Sequence, residues 1–312
     1  MFAGIACARN ELRTLVLEKQ KYPIDKACGE GIMPSGVNNL RKLGVAPFLE
    51  KYPYHLFKGI RYVSAKGSVA EANFAEGCGW GVQRTKLSAA LLECAETLPN
   101  LEIQEGVPVA CSLEENPEVS IKNNVFHPKL LIGADGLHSR VRKLANLEAT
   151  IPKLKRWGVR QHFNVEPWSA FVEIHWGSGL EAYVTPVSET SINVSLLWDA
   201  KHYKPEHGGK KLFCSMLNEF PELQDRLKNA DVLDEPVAEG PLFQKTLGVA
   251  NGKILLIGDA AGFFDPITGE GIGIAARQAL LLEKYVEPVL KENSGNLVKA
   301  MFDYSRASAQ IY

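Results

Sequence analysis

The fold is decided by the stretch KILLIGDAAGFFDPITGEGIGIAARQALLLEKYV, residues 253–286. It begins with a short apolar run, Ile254 to Ile257, which predicts a buried strand followed by a turn at Gly258-Asp259. A Gly-rich segment, 269–273, then opens a helix with an apolar period of about 3.6 residues. Because small residues after a strand let the backbone approach a ligand closely, the stretch predicts a ligand-binding strand–turn–helix unit.

Two polar features of this stretch suit different parts of one ligand. The Asp259 carboxylate can accept hydrogen bonds from sugar hydroxyls but would repel a phosphate, which favours a ribityl or ribose chain. The helix that begins near Gly271 has free backbone amides and a partial positive charge at its N-terminus, which suit a ligand group that becomes negative. The alternative is an ordinary strand–loop–helix connection; the acidic residues and glycines packed into this segment argue against it.

A second stretch, KLLIGADGLHSRVRKLANL at residues 129–147, has a related form. A buried strand ends in a glycine-bearing turn at Asp135-Gly136, and Arg140 and Arg142 follow the turn. By itself this pattern could equally be an unrelated tight turn. Paired with the Gly258-Asp259 turn further along the chain, it indicates a nucleotide-binding domain.

Strand and helix signals alternate at both ends of the chain and give way to strands in the middle. Residues 12–18 read as a strand preceded by a helix, and a further helix begins at Arg84. Between about 155 and 200 the pattern is antiparallel: along Ser191 to Trp198 apolar and polar residues alternate strictly, which predicts a sheet with one apolar and one polar face. We therefore expect an α/β, two-domain α+β fold in which a Rossmann-like nucleotide-binding domain is interleaved with a mostly antiparallel sheet domain. The expected bounds are 1–56, 82–150 and 241–290 for the nucleotide domain, 57–81 and 151–240 for the sheet domain, and 291–312 for a C-terminal helix.

Composition excludes several classes of protein. A net charge of -1 over 312 residues gives no electrostatic case for nucleic acid. No apolar run approaches the roughly 20 residues that span a bilayer, and Arg9 and Glu11 interrupt the start of the chain where a signal peptide needs an apolar core. The six scattered cysteines predict free thiols, so a cytoplasmic location is the default expectation.

The motifs resemble those of a known family. LLIGADGLHSRVR (130–142) resembles the Asp-Gly motif, and ILLIGDAAGFFDPITGEGI (254–272) the Gly-Asp motif, of the FAD-dependent monooxygenases and reductases related to para-hydroxybenzoate hydroxylase. Together with KACGEGIMPSGVNNLRKLGV (26–45), the second motif is most similar to the branch that contains the geranylgeranyl reductases. The resemblance covers about residues 5 to 300 and implies FAD extended along the nucleotide domain, with its ring at the sheet domain.

The resemblance also implies roles for individual residues. Glu18, which ends the predicted strand, would hold the adenosine ribose, as an acidic residue ending the second strand does generally. Arg84 would lie near the ribityl-phosphate part of FAD, Asp259 would contact the ribityl chain, and Asp135 would act through its turn beside the pyrophosphate. The complete set of expected cofactor-binding residues is Glu18, Lys19, Arg84, Asp135, Gly136, Gly258, Asp259, Asp265, Pro266, Gly269, Gly271 and Ile272.

Other candidates have weaker support. Cys28 lies where this branch passes close to the flavin ring, although a buried structural thiol explains it equally well. Glu30 would line the substrate cleft or cap the helix predicted from residue 35. The middle sheet adds three residues for which ordinary packing or a solvated position is favoured: His175, Trp176 and Tyr183.

The function implied by the resemblance is a flavin-dependent oxidoreductase. NAD(P)H would reduce FAD, which would then support hydroxylation of a small hydrophobic or aromatic substrate with oxygen or reduction of a prenyl-type double bond. The residues identify no catalytic acid or base. The Trp-x-Trp-x-Ile-Pro signature of flavin-dependent halogenases is absent, which argues against halogenation. A nicotinamide-only Rossmann dehydrogenase would share Glu18 but has no use for the Asp-Gly and Gly-Asp pair.

The start of the chain supports a further alternative. A Gly-x-Gly-x-x-Gly fingerprint normally lies about 20 residues before the acidic residue, where it holds the pyrophosphate. Here Gly4 is the only glycine before Glu18, and it falls within the predicted first helix. We therefore expect that the first strand and the fingerprint glycines lie upstream of Met1, so that this polypeptide is a fragment or a non-catalytic remnant of such a flavoprotein.

Overall fold

The computed structural model describes residues 1–113, 116–122, 124–150, 156–204, 209–263, 265–292 and 296–311. The helices are α1 (Phe2–Arg9), α2 (Pro34–Lys42), α3 (Ala46–Leu49), α4 (Arg84–Glu96), α5 (Arg140–Leu144), α6 (Gly209–Leu217), α7 (Pro221–Leu227), α8 (Gly271–Tyr285), α9 (Glu287–Glu292) and α10 (Leu297–Ala309). The strands are β1 (Thr14–Glu18), β2 (Gly31–Ile32), β3 (His55–Phe57), β4 (Gly59–Val63), β5 (Val69–Asn73), β6 (Gly79–Gly81), β7 (Leu101–Glu105), β8 (Ala110–Leu113), β9 (Pro117–Ile121), β10 (Asn124–Phe126), β11 (Leu131–Gly133), β12 (Arg156–Asn164), β13 (Val172–Trp176), β14 (Leu180–Pro186), β15 (Ser191–Asp199), β16 (Asp231–Val232), β17 (Val237–Glu239), β18 (Ala250–Asn251) and β19 (Ile254–Leu256). Two short 3₁₀ turns follow β19, at Gly258–Ala260 and Pro266–Thr268.

Parallel strand pairs form the base of the nucleotide-binding part. Strand β1 pairs in parallel with β7, and β11 pairs in parallel with β19. Glu18 is the last residue of β1, and the Asp135 and Asp259 turns follow β11 and β19 directly. Because ligands of open α/β sheets bind outside the carboxyl ends of the strands, the three acidic residues lie at the ends where a nucleotide is expected.

The middle of the chain forms a larger sheet with the strand order β16-β12-β15-β14-β13-β4-β5, and β17 also pairs with β12. All its pairings are antiparallel except that between β13 and β4. Strands β4 and β5 come from the early part of the chain, so the sheet interrupts the nucleotide-binding part twice. The predicted α/β fold with an interleaved, mostly antiparallel sheet is confirmed.

The alternation along β15 separates the two faces of this sheet. Val194 and Leu196 point toward α6 and α7, where they pack with Phe213 and Leu223 in one buried apolar cluster. The opposite face carries Asn193 and other polar side chains and points toward the nucleotide-binding part. Burial of one face thus fixes which side chains the other face presents to a ligand.

The nucleotide-binding part has its own core, in which α8 packs against α1, α2 and α10. The crossing of α2 and α8 is close because both helices have glycine there: a Cβ on Gly36 would lie 3.2 Å from the Cα of Gly273. The Asn39 amide donates a hydrogen bond across the same crossing to the Gly273 carbonyl, at 3.2 Å. The start of α8 is therefore held rigidly against the segment that follows β2.

Two further regions agree with the sequence pattern. The sequence between 210 and 228 indicates a helix interrupted near Pro221, and the structure has two helices there, α6 and α7, because Pro221 begins a new helix and cannot continue the previous one. Residues 68–75 indicate a short strand, and the structure has β5 there, an edge strand whose residues are all exposed. In the ranges that the structure describes, we find no helix that is both long and apolar enough to cross a membrane.

A buried carboxyl predicts how stability varies with pH. Glu287, at the start of α9, is only 2% exposed and accepts a 2.6 Å hydrogen bond from the Asn10 amide. Burial, together with the nearby Glu283 carboxylate, raises the pKa of Glu287 to about 7. Because this pKa lies above that of an unfolded glutamate, the contribution to stability is complete below about pH 4.5 and is lost as the pH rises through about 7.

We therefore expect Glu287→Gln to flatten the pH dependence of the free energy of unfolding between about pH 4.5 and 7. The variant should be more stable than the parent at pH 8 by on the order of 1–3 kcal/mol. Urea titrations at several pH values would measure this. Glu222→Gln, at an exposed position on α7, is the control and should leave the profile unchanged. Parallel profiles for Glu287→Gln and the parent would contradict the assignment.

Candidate functional site

Several of the predicted site residues lie around two cations, Lys26 and Arg84. Both cations act electrostatically on the Asp259 carboxylate. A Cβ placed on Gly136 would lie 3.4 Å from the Lys26 ammonium nitrogen. The structure thus brings together the Asp135-Gly136 turn, the Gly258-Asp259 turn and the start of α4, which are far apart in the sequence.

Asp259 is a carboxyl in a partly buried position. Burial raises its pKa, because desolvation disfavours the charged form, and Lys26 and Arg84 oppose that shift. The preceding Gly258 has φ +63°, a conformation that favours glycine, and its amide donates a 2.6 Å hydrogen bond to the buried Gln278 side chain. This hydrogen bond therefore anchors the turn that carries Asp259 to helix α8.

Arg84 provides a direct test of whether an anionic cofactor fits this site. Its Nη1 atom is buried and has no hydrogen-bond partner among the described residues. A buried donor without an acceptor costs about 1–3 kcal/mol, more when it is charged, so the protein alone leaves this guanidinium incompletely satisfied. A phosphate or ribityl oxygen of FAD would supply the acceptor, and the residues present therefore fit this cofactor.

The segment from Asp265 to Ile272 presents backbone amides to the same region. The Asp265 carboxylate accepts a 3.0 Å hydrogen bond from the Ile267 amide and so fixes the 3₁₀ turn that begins at Pro266. Gly269, with φ +63°, ends that turn, and α8 begins at Gly271 without a side-chain cap from Glu270. The first amides of α8 are thus available to a ligand, as expected at a helix N-terminus.

Asp135 is occupied within its own turn. Its carboxylate accepts hydrogen bonds from the Ser139 hydroxyl and from the amides of Arg140 and Val141, the latter two at 2.7 and 3.1 Å. It thereby caps the start of α5. This geometry agrees with a role through the turn and leaves the glycine of the pair, Gly136, next to Lys26.

The end of β1 is more open. The Glu18 carboxylate accepts a 2.9 Å hydrogen bond from the Gln20 amide. Tyr22 lies within electrostatic reach of both Glu18 and Arg84: burial raises its pKa to about 12, Glu18 adds to the shift and Arg84 opposes it. Lys19 is exposed just beyond β1, and no contact in the described part of the chain brings its side chain to Lys26 and Arg84.

The polar face of the large sheet covers the segment that follows β1. Asn193 and Ser195 on β15 both donate hydrogen bonds to the carbonyl of Cys28, at 2.8 and 3.3 Å. The Cys28 sulfur accepts a hydrogen bond from the Glu30 amide, and burial raises the pKa of this thiol to about 11. The polar residues of the alternating pattern predicted for Ser191 to Trp198 therefore hold the segment around Cys28 in place.

The same face carries an apolar patch next to the Pro266–Thr268 turn. Its members come from four strands, one loop and the turn itself: Ile60, Ile174, Tyr183, Leu197, Leu242 and Ile267. The patch has one ionic edge, where the Tyr183 hydroxyl donates a 3.0 Å hydrogen bond to Glu181 and Arg156 pairs with Glu181. Of the three sheet candidates, Tyr183 and the 40% exposed Trp176 lie on this face and His175 on the opposite one.

Sequence reasoning missed a group of charged residues on this face. It comprises Asp25, Arg160, His162 and Asp234, which meet Glu30 at the junction of the sheet and the nucleotide-binding part. The available signal was the spacing of Arg160 and His162, which are two residues apart and therefore lie on the same face of one strand. The suggestion that Glu30 caps the helix starting near residue 35 is wrong, because its carboxylate binds the Arg84 amide and His162 instead.

This geometry can be compared with known proteins. A sequence profile described as an FAD binding domain matches residues 2–205. The chain belongs to this FAD-binding family. It is an FAD-dependent oxidoreductase, and its cofactor is FAD.

Relatives of this FAD-dependent oxidoreductase include enzymes of two named kinds. Digeranylgeranylglycerophospholipid reductase of Methanocella arvoryzae is 25% identical over 291 residues, which cover 86% of this chain and 70% of that protein. Squalene epoxidase of Schizosaccharomyces pombe is 25% identical over 338 residues, covering 99% of this chain and 70% of that protein. The resemblance to the geranylgeranyl reductases and FAD-dependent monooxygenases is confirmed.

Solved structures support the fold of the FAD-dependent oxidoreductase. A flavoprotein/dehydrogenase from Cytophaga hutchinsonii superposes with a TM-score of 0.84 at 18% identity, covering 97% of this chain and 79% of that one. Halogenase PltM in complex with phloroglucinol and FAD gives a TM-score of 0.83 at 16% identity, covering 98% and 70%. At such identities these similarities concern the fold alone.

The unsatisfied guanidinium nitrogen predicts the effect of Arg84→Met on cofactor binding. Methionine keeps most of the side-chain length but removes the charged donor, which is worth about 1.5–3 kcal/mol in a hydrogen bond to a charged acceptor. We expect the dissociation constant for FAD to rise roughly ten- to hundredfold. Fluorescence titration of FAD into the purified protein measures it.

The matched control is Lys86→Met, two residues further along α4. It removes a cation from the same helix without touching the buried nitrogen, and its FAD affinity should remain that of the parent. Equal affinities for Arg84→Met and the parent would place FAD elsewhere.

Proposed function

We propose that this FAD-dependent oxidoreductase takes its reducing equivalents from NAD(P)H and acts on a carbon–carbon double bond of a hydrophobic, prenyl-type molecule. The observation that carries the proposal is the apolar patch around Ile174 and Leu197, which faces the Pro266–Thr268 turn. A site for a polar substrate would place more hydrogen-bonding groups on that wall, because unpaired polar groups on the substrate would be costly to bury there.

In this proposal the residues that surround Lys26 and Arg84 would hold FAD. Glu18 would bind the adenosine ribose, Arg84 and Gly136 would bind the phosphates, and Asp259 would bind the ribityl chain. The amides that open α8 would stabilise negative charge on the ring. When bound, FAD supplies the two-electron chemistry.

The residues of the chain then have three tasks. The apolar patch binds the hydrocarbon part of the substrate and excludes water from the reacting bond. The Tyr183 hydroxyl, held by Glu181, is the polar group at the edge of the patch and orients a polar end of the substrate. Burial and the Glu181 carboxylate raise the pKa of Tyr183, so the hydroxyl remains protonated, donates its hydrogen to Glu181 and leaves its oxygen lone pairs to accept a hydrogen bond from the substrate.

The names of two relatives support the substrate class. One is a reductase of digeranylgeranylglycerophospholipid and the other an epoxidase of squalene. The first name favours reduction of the double bond. The second supports another candidate function, oxygenation of a hydrophobic substrate with O₂, which this site would accommodate equally well.

The consumption of oxygen distinguishes the two functions. Oxidation of NADH and of NADPH would be followed with and without O₂, using a geranylgeranyl lipid, squalene and a simple phenol as substrates. Reduction predicts turnover without O₂ and a product heavier by two hydrogens; oxygenation predicts one O₂ consumed per NAD(P)H and a product heavier by one oxygen. FAD-loaded protein that oxidises neither nicotinamide with any substrate would contradict the proposal, and peroxide measurements would expose uncoupled turnover.

The apolar patch predicts a selective effect of Ile60→Asn. Ile60 lies on β4, in the patch but on the sheet rather than on the cofactor-binding segments. A buried amide without a partner should weaken binding of the hydrocarbon by about 1–3 kcal/mol. The KM for the substrate should rise roughly tenfold or more, whereas FAD affinity should not change.

Leu56→Asn is the control, since Leu56 is 49% exposed on β3 and outside the patch. Steady-state kinetics on both variants and flavin absorbance of the purified proteins measure the effect. An unchanged KM in Ile60→Asn would exclude the patch as the substrate wall.

A further inference from the structure

The centre of the charged group at the junction of the two parts is almost completely buried, whereas the side chains of Asp25 and Asp234 at its rim are 39% and 31% exposed. Glu30 and Arg160 are each 1% exposed, and His162 is 5% exposed. Burial of ions is costly unless they are paired and hydrogen-bonded, and such groups are concentrated where they serve a specific arrangement. We call this group the clasp, and it consists of Asp25, Glu30, Arg160, His162 and Asp234.

His162 is at the centre of the clasp. Its Nε2 lies 2.6 Å from the Glu30 carboxylate and its Nδ1 2.6 Å from the Asp234 carboxylate. Asp234 also accepts a 2.9 Å hydrogen bond from the His162 backbone amide. Each ring nitrogen therefore has a carboxylate acceptor, and the doubly protonated imidazolium donates to both; the Arg160 Nη1 atom also lies 3.3 Å from Nδ1.

Glu30 connects the clasp to the cofactor residues. One carboxylate oxygen binds His162, and the other accepts a 2.6 Å hydrogen bond from the backbone amide of Arg84, the first residue of α4. The Glu30 amide in turn donates to the sulfur of Cys28. A movement of Glu30 would therefore displace both Arg84 and the Cys28 segment.

The backbone conformation of Glu30 indicates that the hydrogen bonds to its carboxylate determine where this residue lies. Its φ of +60° is in the left-handed region, which costs a residue with a side chain about 1–3 kcal/mol and is adopted readily only by glycine. Glycine flanks it on both sides in the sequence. A glutamate at this position is stable only because the surrounding hydrogen bonds hold its carboxylate.

We propose that Glu30, His162 and Asp234 are positioning residues for FAD: the charged imidazolium holds the Glu30 carboxylate, which holds Arg84 and the Cys28 segment in the geometry that the cofactor needs. None of the three is assigned a contact with the substrate or with the reacting atoms. The inference concerns cofactor binding and is independent of which substrate the enzyme uses.

The charge balance of the clasp makes this positioning sensitive to pH. Burial lowers the pKa of His162, but hydrogen bonds and attraction from Asp234 and Glu30 outweigh it and raise the pKa to about 9. The groups that face the ring itself are Glu30 from the segment before β2, Arg160 from β12 and Asp234 from the loop after β16. Asp25 acts on the ring through Arg160, and Cys28 and Arg84 contact Glu30. Loss of the imidazolium proton leaves three carboxylates with one guanidinium.

The sign of the effect follows from the raised pKa. The stabilisation by charged His162 is fully present below about pH 6.5, the value for an unfolded histidine, and is lost as the pH rises through about 9. If the clasp positions Arg84, FAD affinity falls over the same alkaline range. By linkage, FAD binding must then raise the pKa of His162.

The test compares two buried Glu–His pairs whose histidines lie on the same sheet. Glu30→Gln keeps an acceptor for the Arg84 amide but removes the charge that holds His162. We expect at least a tenfold weaker FAD affinity at pH 7 and an alkaline midpoint of FAD binding shifted to lower pH. The matched control is Glu173→Gln, which breaks the pair of Glu173 with His175, 3.2 Å apart on the opposite face. It should lower the melting temperature without changing FAD affinity or its pH midpoint.

Two results of this comparison would overturn the proposal. Parental FAD affinity and midpoint in Glu30→Gln would overturn it, and so would an equal loss in Glu173→Gln, which would make the clasp merely stabilising. Should Glu30→Gln fail to fold, titration of His162 in the parent protein by NMR, with and without FAD, serves instead. A higher pKa with FAD supports the positioning role, and an unchanged pKa overturns it.

Discussion

The relative position of the nucleotide-binding part and the large sheet depends on two hydrogen bonds to one carboxylate, that of Glu30. Glu30 accepts a hydrogen bond from the first amide of α4 on one side and pairs with His162 of the sheet on the other. Neither bond could be replaced by water, because the side chain is buried. Helix α4 and the sheet are therefore held in a fixed relation to each other.

The two faces of the large sheet have different roles. One face packs against α6 and α7 and supplies apolar burial, with residues such as Leu196 and Phe213. The other face binds the Cys28 segment through Asn193 and Ser195 and places the apolar patch beside the turn before α8. A register shift of one residue would exchange these faces, so stability and site geometry are determined by the same pairing.

The sequence predicted well those features whose chemistry is local. The Gly258-Asp259 turn, the start of α8 near Gly271 and the alternation along β15 follow from short-range rules on glycine, helix termini and strand periodicity. The clasp was not predictable in this way, since Glu30 and His162 are 132 positions apart and the pairing depends on how the chain returns to the sheet. Asp135 was intermediate: its turn was evident from the sequence, but only the structure shows that its carboxylate accepts hydrogen bonds from the first amides of α5.

This difference in predictability has a physical origin that bears on the site itself. The motif residues would contact the cofactor through backbone amides and small side chains, and such contacts follow local sequence patterns. The residues that hold those contacts in place act through buried charges, which need partners from several elements and leave no periodic pattern. Glu30 combines both properties: its left-handed backbone between two glycines is a local anomaly, and the His162 imidazolium that compensates for it comes from the opposite part of the fold. The strained position and the distant cation are therefore one structural feature, because each is costly without the other.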